Sequence, residues 1–322
     1  MENNPIPSKY IVDAHFPLAA QNSDEIDLRE LFTVLWNGKW IIIATTFLFV
    51  VAGVLYAISL PNIYKADALL APAESAGGGG LSKMAGQLGG LAALAGVNLS
   101  GSETSQTEMA LKVMNSRVFV ENFVNKHGLL VPLMASKEWD LASNELVYDE
   151  EVYNPQTNVW LREAKGLRSA EPSAQEIFEK FTKDVLNVNE DSKSGFVTLS
   201  IKHYSPFLAQ QWLTWVIEDI NQVMRERAIE ETQRNLDYLS KQLEKTSIAD
   251  MQSTFYKLIE EQTKSLMLAE VQDEFVFKVV DPAVVPELKA EPKRALICVL
   301  ATLLGSMLGA GVVLLRHAFG KV

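Results

Sequence analysis

Two long apolar runs, Ile41–Leu60 and Ala295–Leu315, constrain this chain more than any other feature. They hold 20 and 21 residues and carry no charge. At about 1.5 Å rise per residue, each run as a helix covers the ~30 Å hydrocarbon core of a bilayer. A soluble core helix rarely runs so long without a polar face. A cleaved signal peptide is the other alternative for the first run, because Ala66-Asp67-Ala68 has the small-x-small pattern of a cleavage site. But the run exceeds the usual ~7–15 residues of a signal core, and Asp24, Glu25, Asp27 and Glu30 make its leader acidic. Both runs are therefore read as uncleaved anchors, which puts both termini on one side of the membrane.

The 234 residues between the anchors have ordinary globular composition. Of the net charge of −11, that segment carries −10, from 24 Lys+Arg against 34 Asp+Glu. Such an acidic domain is a poor nucleic-acid binder, because phosphate binding draws on clustered Lys and Arg. The only cysteine, Cys298, lies inside the second run, so the segment has no disulfide framework and no cysteine metal site. Flanking charges do not orient the chain. Arg29 and Lys39 precede the first run and Lys65 follows it, while Lys289, Lys293 and Arg294 precede the second and Arg316 and Lys321 follow it. Long loops escape the positive-inside rule in any case.

Residues 26–40, with Ile26, Leu28, Leu31, Phe32, Leu35 and Trp36, read as a short amphipathic helix leading into the first span. Ile63–Leu70 suits a strand, ended by Pro72. Residues 77–101 are rich in Gly and Ala, and no Gly-Lys-Ser/Thr follows these glycines, so the phosphate-loop pattern fails. They read as a flexible loop, or as an apolar segment that packs on a neighbouring subunit or the membrane surface. Gln106–Asn125 reads as one helix closed by Gly128, and residues 129–172 as irregular, broken by Pro132, Pro155 and Pro172. Ser173 and Glu176 form a capping box for a helix carrying Ile177, Phe178, Phe181 and Val185. Leu186–Asn189 and Phe196–Lys202 then read as a hairpin.

The stretch from Ser205 to about Thr246 has no glycine and no proline past Pro206. If helical throughout, its 42 residues reach about 63 Å. Its first half is broadly apolar, with Leu208, Trp212, Trp215, Val216, Ile220 and Val223. Its second half offers only a thin stripe, in which Leu236, Leu239 and Leu243 sit at heptad-like spacing among charges. Such a stripe supports one partner helix rather than a core. Ile248–Gln272 can fold back as part of that partner, with a neighbouring chain supplying the rest. Phe275–Val280 returns as a strand toward the second span.

Chemistry is not signalled. His15, His127, His203 and His317 are scattered, and no pair has metal-ligand spacing. No nucleophile elbow, zinc motif or nucleotide loop occurs. No catalytic residue, metal site or cofactor site is assigned. The informative pattern straddles the second span: Pro286, four residues, Glu291-Pro292-Lys293, eleven residues, Gly305, three residues, Gly309. The prolines stiffen the lead-in, and Lys293 can anchor at headgroups. Ala301, Gly305 and Gly309 line one helix face that admits a second helix closely. In the first span, Gly53 and Ala57 offer a matching small face.

That spacing resembles the polysaccharide co-polymerase (Wzz) family of bacterial chain-length determinants. Its signature is Pro-x-x-Pro, four residues, Ser-Pro-Lys, eleven residues, Gly-x-x-x-Gly. Pro286, Pro292, Lys293, Gly305 and Gly309 match it; Ala283 stands for the first proline and Glu291 for the serine. The lead-in Ile26-Asp27-Leu28-Arg29-Glu30-Leu31 and the arm segment Glu230–Leu239 are also similar to the family.

The order of elements gives an α+β protein with two transmembrane helices flanking one large domain, and the resemblance implies that this domain is periplasmic. That domain would have a small membrane-proximal α/β base and a long helical arm. The expected division is a cytoplasmic tail 1–40, spans 41–60 and 295–315, a periplasmic domain 61–294 with its arm at about 205–272, and a cytoplasmic tail 316–322. The resemblance further implies a bacterial inner-membrane homo-oligomer, closed as a ring. It would act with an O-antigen polymerase on lipid-linked polysaccharide, without enzymatic activity or cofactor. The expected role is control of lipopolysaccharide O-antigen chain length. An exopolysaccharide or capsule co-polymerase working with a separate tyrosine kinase is the alternative, and a two-span periplasmic sensor is the remote one. The seven residues after Leu315 argue against a fused kinase.

Overall fold

The computed structural model describes residues 28–73 and 106–319. The Gly/Ala-rich stretch 77–101, and residues 26 and 27 of the expected leading helix, lie outside the described residues. The chain forms two compact units, Met1–Leu55 with Ala295–Val322, and Tyr56–Arg294.

The first unit is built on helices. Leu28–Asn37 (α1) stops at Gly38, and Lys39–Ser59 (α2) begins at once. The last helix, α9, spans Arg294–Phe319. Both α2 and α9 are long and apolar enough to cross a membrane. Phe47, Leu48, Leu303 and Met307 are among the many large apolar side chains they leave exposed.

The second unit is a four-stranded antiparallel sheet with helices on one face. Its strands are β1 (Tyr64–Pro72), β6 (Leu186–Glu190), β7 (Val197–His203) and β8 (Phe277–Asp281), in the order β6-β7-β1-β8. The register runs Tyr64 opposite His203 and Leu70 opposite Val197. Strand alternation puts Ala66, Ala68 and Leu70 on the buried face, beside Val197, Leu199 and Ile201. The long helix Pro206–Lys245 (α7) packs on β1 and β7. Trp212, Leu213, Val216 and Ile220 of its first half are fully buried. Ser205 caps it, accepting a hydrogen bond from the Leu208 N–H at 3.4 Å, and Pro206 fills the first turn, where no N–H is needed. Beyond Met224 the helix buries nothing fully; Ala249–Val271 (α8) returns along it.

The remaining helices are α3 (Gln106–Met114), α4 (Arg117–Lys126), α5 (Leu130–Met134) and α6 (Ala174–Lys180). The single helix expected over 106–125 is thus two. Ser116 is extended and caps α4 through the Phe119 N–H at 3.2 Å, which breaks the helix after Met114. The break rotates the second half, so that Phe119, Val120, Phe123 and Val124 are buried while Val118 faces out. The ring of Phe123 stands 5.4 Å from that of Phe181.

Residues 129–172 are not irregular, as their prolines suggest, but hold α5 and two small hairpins. These are β2 (Ser136–Asp140) with β3 (Glu145–Tyr148), and β4 (Tyr153–Asn154) with β5 (Val159–Trp160). Pro132 fits inside the first turn of α5. Asn144 and Asn158 adopt positive φ and close the hairpins. The capping box at Ser173 and Glu176 is present, and α6 continues as one π-helical turn over Phe181–Val185.

Candidate functional site

The residues singled out by spacing fall in three places. The first is a seam between α2 and α9. A Cβ built on Gly53 would lie 2.6 Å from the Ala301 Cβ. On Gly305 it would lie 2.8 Å from the Phe49 Cβ and 2.9 Å from the Thr46 Cα. On Gly309 it would meet the Thr45 Oγ1, and the Ile42 Cα at 2.9 Å. On Gly38 it would meet the Val313 side chain. Positions therefore descend in steps of about four on α2 as they ascend by four on α9. The helices run antiparallel and interlock along their i, i+4 ridges. Glycine permits backbone contact here that any Cβ would prevent. Gly305, Gly309 and Val313 are the buried residues of α9.

Thr45 Oγ1 bonds the Ile41 and Ile42 carbonyls of its own helix at 3.0 Å and reaches the Gly305 carbonyl at 3.4 Å. Its hydroxyl is thus satisfied within the helix pair, without water. Gly38 and Thr45 were not singled out in the sequence. The signal was present, because Gly38 lies four residues before Ile42 on the same face. Ala57, in the last turn of α2, is 2 % exposed, while Tyr56 and Ile58 beside it are open.

The second place is the base of the Tyr56–Arg294 unit, where both lead-ins meet. Ile63 and Glu291 bridge antiparallel: the Ile63 N–H donates to the Glu291 carbonyl at 3.0 Å, and the Ala290 N–H to the Ile63 carbonyl at 2.8 Å. Arg294 donates to the Asn62 Oδ1 at 3.2 Å and the Leu60 carbonyl at 3.4 Å. Glu291, which departs from the family serine, is paired: Lys202 of β7 reaches its carboxylate at 2.6 Å. Ala283, the other departure, uses its carbonyl to accept from Gln210 at 3.3 Å. Pro286 and Pro292 lie in this extended lead-in and Lys293 is exposed.

The third place is the arm. Leu236, Leu239 and Leu243 are half-buried, on the helix that α8 lines.

Between base and arm, polar side chains inside the unit tie its elements together. Asn221 is 4 % exposed. Its Oδ1 accepts from the N–H groups of Val276 at 2.8 Å and Phe277 at 2.9 Å, and its Nδ2 donates to the Phe277 carbonyl at 3.1 Å. It stands in for a neighbouring strand along the outer edge of β8. Asp219 accepts from Lys126 at 2.7 Å and lies 2.9 Å from the His127 Nε2, while the His127 ring stacks on Trp215 at 4.3 Å. Arg162 grips Glu176 with two nitrogens at 2.8 and 2.9 Å and holds that carboxyl down at about 2. Burial pushes His203 down to about 4. The Ser205 N–H donates to its Nδ1 at 3.0 Å, and its Nε2 faces the Pro132 carbonyl at 3.3 Å. Among the described residues no group of three His, Cys, Asp or Glu could hold a metal ion. These contacts brace elements rather than present reactive atoms.

A family model described as "Chain length determinant protein" (Wzz) matches residues 24–127. A second, described as "G-rich domain on putative tyrosine kinase", matches residues 242–318. The chain is 42 % identical over 65 residues to the ferric enterobactin transport protein FepE of Escherichia coli (strain K12). That stretch covers 19 % of this chain and 17 % of the relative. A full-length bacterial polysaccharide co-polymerase aligns over 92 % of this chain and 99 % of its own, at 15 % identity and a TM-score of 0.37. A fragment of WzzB, the polysaccharide co-polymerase from Salmonella Typhimurium, aligns over 71 % of this chain and all of its own, at 10 % identity and 0.30. The first model begins just before the first span and runs through α4, and the second ends in α9, the helix that carries the glycine pair of the signature. Residues 24–127 thus resemble the Wzz family of chain-length determinant proteins, and the chain spans under a fifth of the length of the curated relative it matches.

Proposed function

We propose that this protein is a non-enzymatic regulator of polysaccharide chain length in the bacterial inner membrane. The Tyr56–Arg294 unit lies in the periplasm, and both termini lie in the cytoplasm. The protein assembles as a homo-oligomeric ring and acts with a membrane polymerase on a lipid-linked glycan, the O-antigen of lipopolysaccharide. The observation that carries this reading is the match of the chain-length-determinant model to residues 24–127. Two membrane-length helices bracketing a braced domain support it. Deleting the gene and resolving lipopolysaccharide on a gel tests it. The expected result is loss of the modal cluster of O-antigen lengths, restored by the intact gene. An unchanged ladder overturns the O-antigen reading.

A second reading is favoured by the match of residues 242–318 to a domain found on putative tyrosine kinases. Here the product is an exopolysaccharide or capsule, and a separate kinase is the partner. The size distribution of secreted polysaccharide in the same deletion separates the two. The name of the Escherichia coli relative suggests ferric enterobactin transport. Growth of the deletion strain on that chelate as sole iron source, unchanged from its parent, would set transport aside.

A further inference from the structure

The base of the Tyr56–Arg294 unit carries an open groove of about 580 Å³, lined by Tyr64, Trp139, Leu141, Phe207, Val285 and Pro286 among others. Its rings form a chain: Tyr64 meets Trp139 edge-on at 5.7 Å, and Trp139 meets Phe207 at 6.1 Å. Around it several large apolar side chains face outward. Leu141 is 78 % exposed, Phe207 48 % and Leu288 84 %, and Val284 and Val285 join them. Scattered exposed apolar residues need no explanation, but a cluster at one end of a domain does.

The end in question is the one that holds Ser59 and Arg294, where the chain leaves α2 and starts α9. Tyr64 follows Ser59, the last residue of α2, by five residues, so it lies within about 18 Å of that helix end. Val285 and Leu288 sit on the lead-in to α9, which the Ile63–Glu291 bridge fastens beside the start of β1. Phe207 lies in the first turn of α7, four residues after His203, the residue opposite Tyr64. Leu141 is held out rather than loose. Asp140 fixes the hairpin turn by accepting from the Ala142 N–H at 3.0 Å and the Ser143 hydroxyl at 2.9 Å. The Trp139 N–H donates to the Asn144 Oδ1 at 3.1 Å, across the same hairpin. Aromatic rings with a polar handle and aliphatic tips are the side chains that settle at a bilayer interface.

We propose that this patch rests on the lipid surface of the leaflet that the chain's own spans enter, seating the domain through Leu141, Phe207 and Leu288. The proposal takes α2 and α9 as membrane spans and adds a second, non-spanning contact with lipid.

The test uses the full chain with Cys298→Ser, in nanodiscs of phosphatidylethanolamine and phosphatidylglycerol. Spin labels are placed singly at Leu141→Cys and Leu288→Cys, at Leu303→Cys on α9, and at Tyr238→Cys on the arm. Collisions with oxygen and with a water-soluble nickel chelate are compared. The expected ratio of oxygen to nickel accessibility at positions 141 and 288 is several-fold above that at 238 and approaches that at 303. Ratios at 141 and 288 equal to that at 238 overturn the proposal. Shielding from both reagents also overturns it, because a second copy of the chain then covers the patch. Loss of both accessibilities only on adding lipid-linked glycan assigns the groove to sugar and overturns it too. A water-like ratio at 303 refutes the spans themselves, a failure distinct from that of the patch.

Discussion

Replacing Asn221 by Leu should loosen the last strand more than any exposed change on the same helix. The two side chains are of similar size, so the substitution leaves little cavity. What it removes is the acceptor for two backbone N–H groups, of Val276 and Phe277, and the donor to the Phe277 carbonyl. All three lie at a residue that is itself 4 % exposed. A buried polar group left unpaired costs about 1–3 kcal/mol, so the three together cost roughly 3–9 kcal/mol. That is a large share of the 5–15 kcal/mol that holds a typical domain. The assay is amide hydrogen exchange of the full chain in nanodiscs, read by mass spectrometry over residues 273–281. Each 1.4 kcal/mol is a factor of about ten in the opening equilibrium, so exchange at Val276 and Phe277 should accelerate at least about a hundredfold. The adjacent exposed change Gln222→Ala should alter stability by less than about 0.5 kcal/mol. If Asn221→Leu folds and leaves the exchange of Val276 and Phe277 unchanged, the bracing role is refuted.

Gly305→Leu with Gly309→Leu drives side chains into the backbone at Thr46 and Ile42; overpacking of this kind costs about 1–3 kcal/mol per site. The distance between spin labels at Phe47→Cys and Leu308→Cys should lengthen and broaden, and an unchanged distance refutes the seam. His203 is 6 % exposed and is held near 4 by burial, against 6.5 when unfolded. Its neutral form is thus favoured by the fold, so its contribution is complete above about pH 6.5. That contribution is lost as pH falls toward about 4, by about 3 kcal/mol in all. His203→Gln should flatten the loss of melting temperature across that window, and an identical pH profile would count against it. Arg162→Ala removes the guanidinium from Glu176 and from the Ser169 and Ala170 carbonyls. A loss of about 1.5–3 kcal/mol and faster proteolysis after Arg168 are expected; equal resistance to protease would refute the brace.

The elements most legible from sequence were those governed by local physics. The spans follow from length and hydropathy, the α6 cap from Ser173 and Glu176, and α7 from forty residues that contain nothing to stop a helix. The break at Ser116 was not legible, because a serine inside a helical pattern is tolerated until its side chain finds an N–H to cap. The hairpins at 136–160 were hidden by Pro155, by Pro132 and Pro172 on either side, and by strands of two to five residues, too short for a period to show. Asn221 lies in the middle of α7, and its partners are 55 residues away in sequence. Only the fold places a strand edge beside it. The glycine spacing pointed to a close helix contact, but the partner positions Phe49, Thr46 and Ile42 depend on register between two segments about 260 residues apart. Glu291 looked like a departure from a pattern, and its pairing with Lys202 is equally non-local.

The bridge between Ile63 and Glu291 has a consequence for how the domain forms. It closes a loop of 228 residues, and bringing the ends of so long a free chain together costs about 5 kcal/mol in loop entropy. When α2 and α9 are already paired through their glycine seam, those ends are neighbours before the domain folds. The unfolded state is then a tethered ring with far fewer conformations, and the α2–α9 pair acts on stability as a cross-link would. Cutting the chain once in an exposed loop would release that constraint. Stability would fall by up to this amount with every contact of the folded domain still in place.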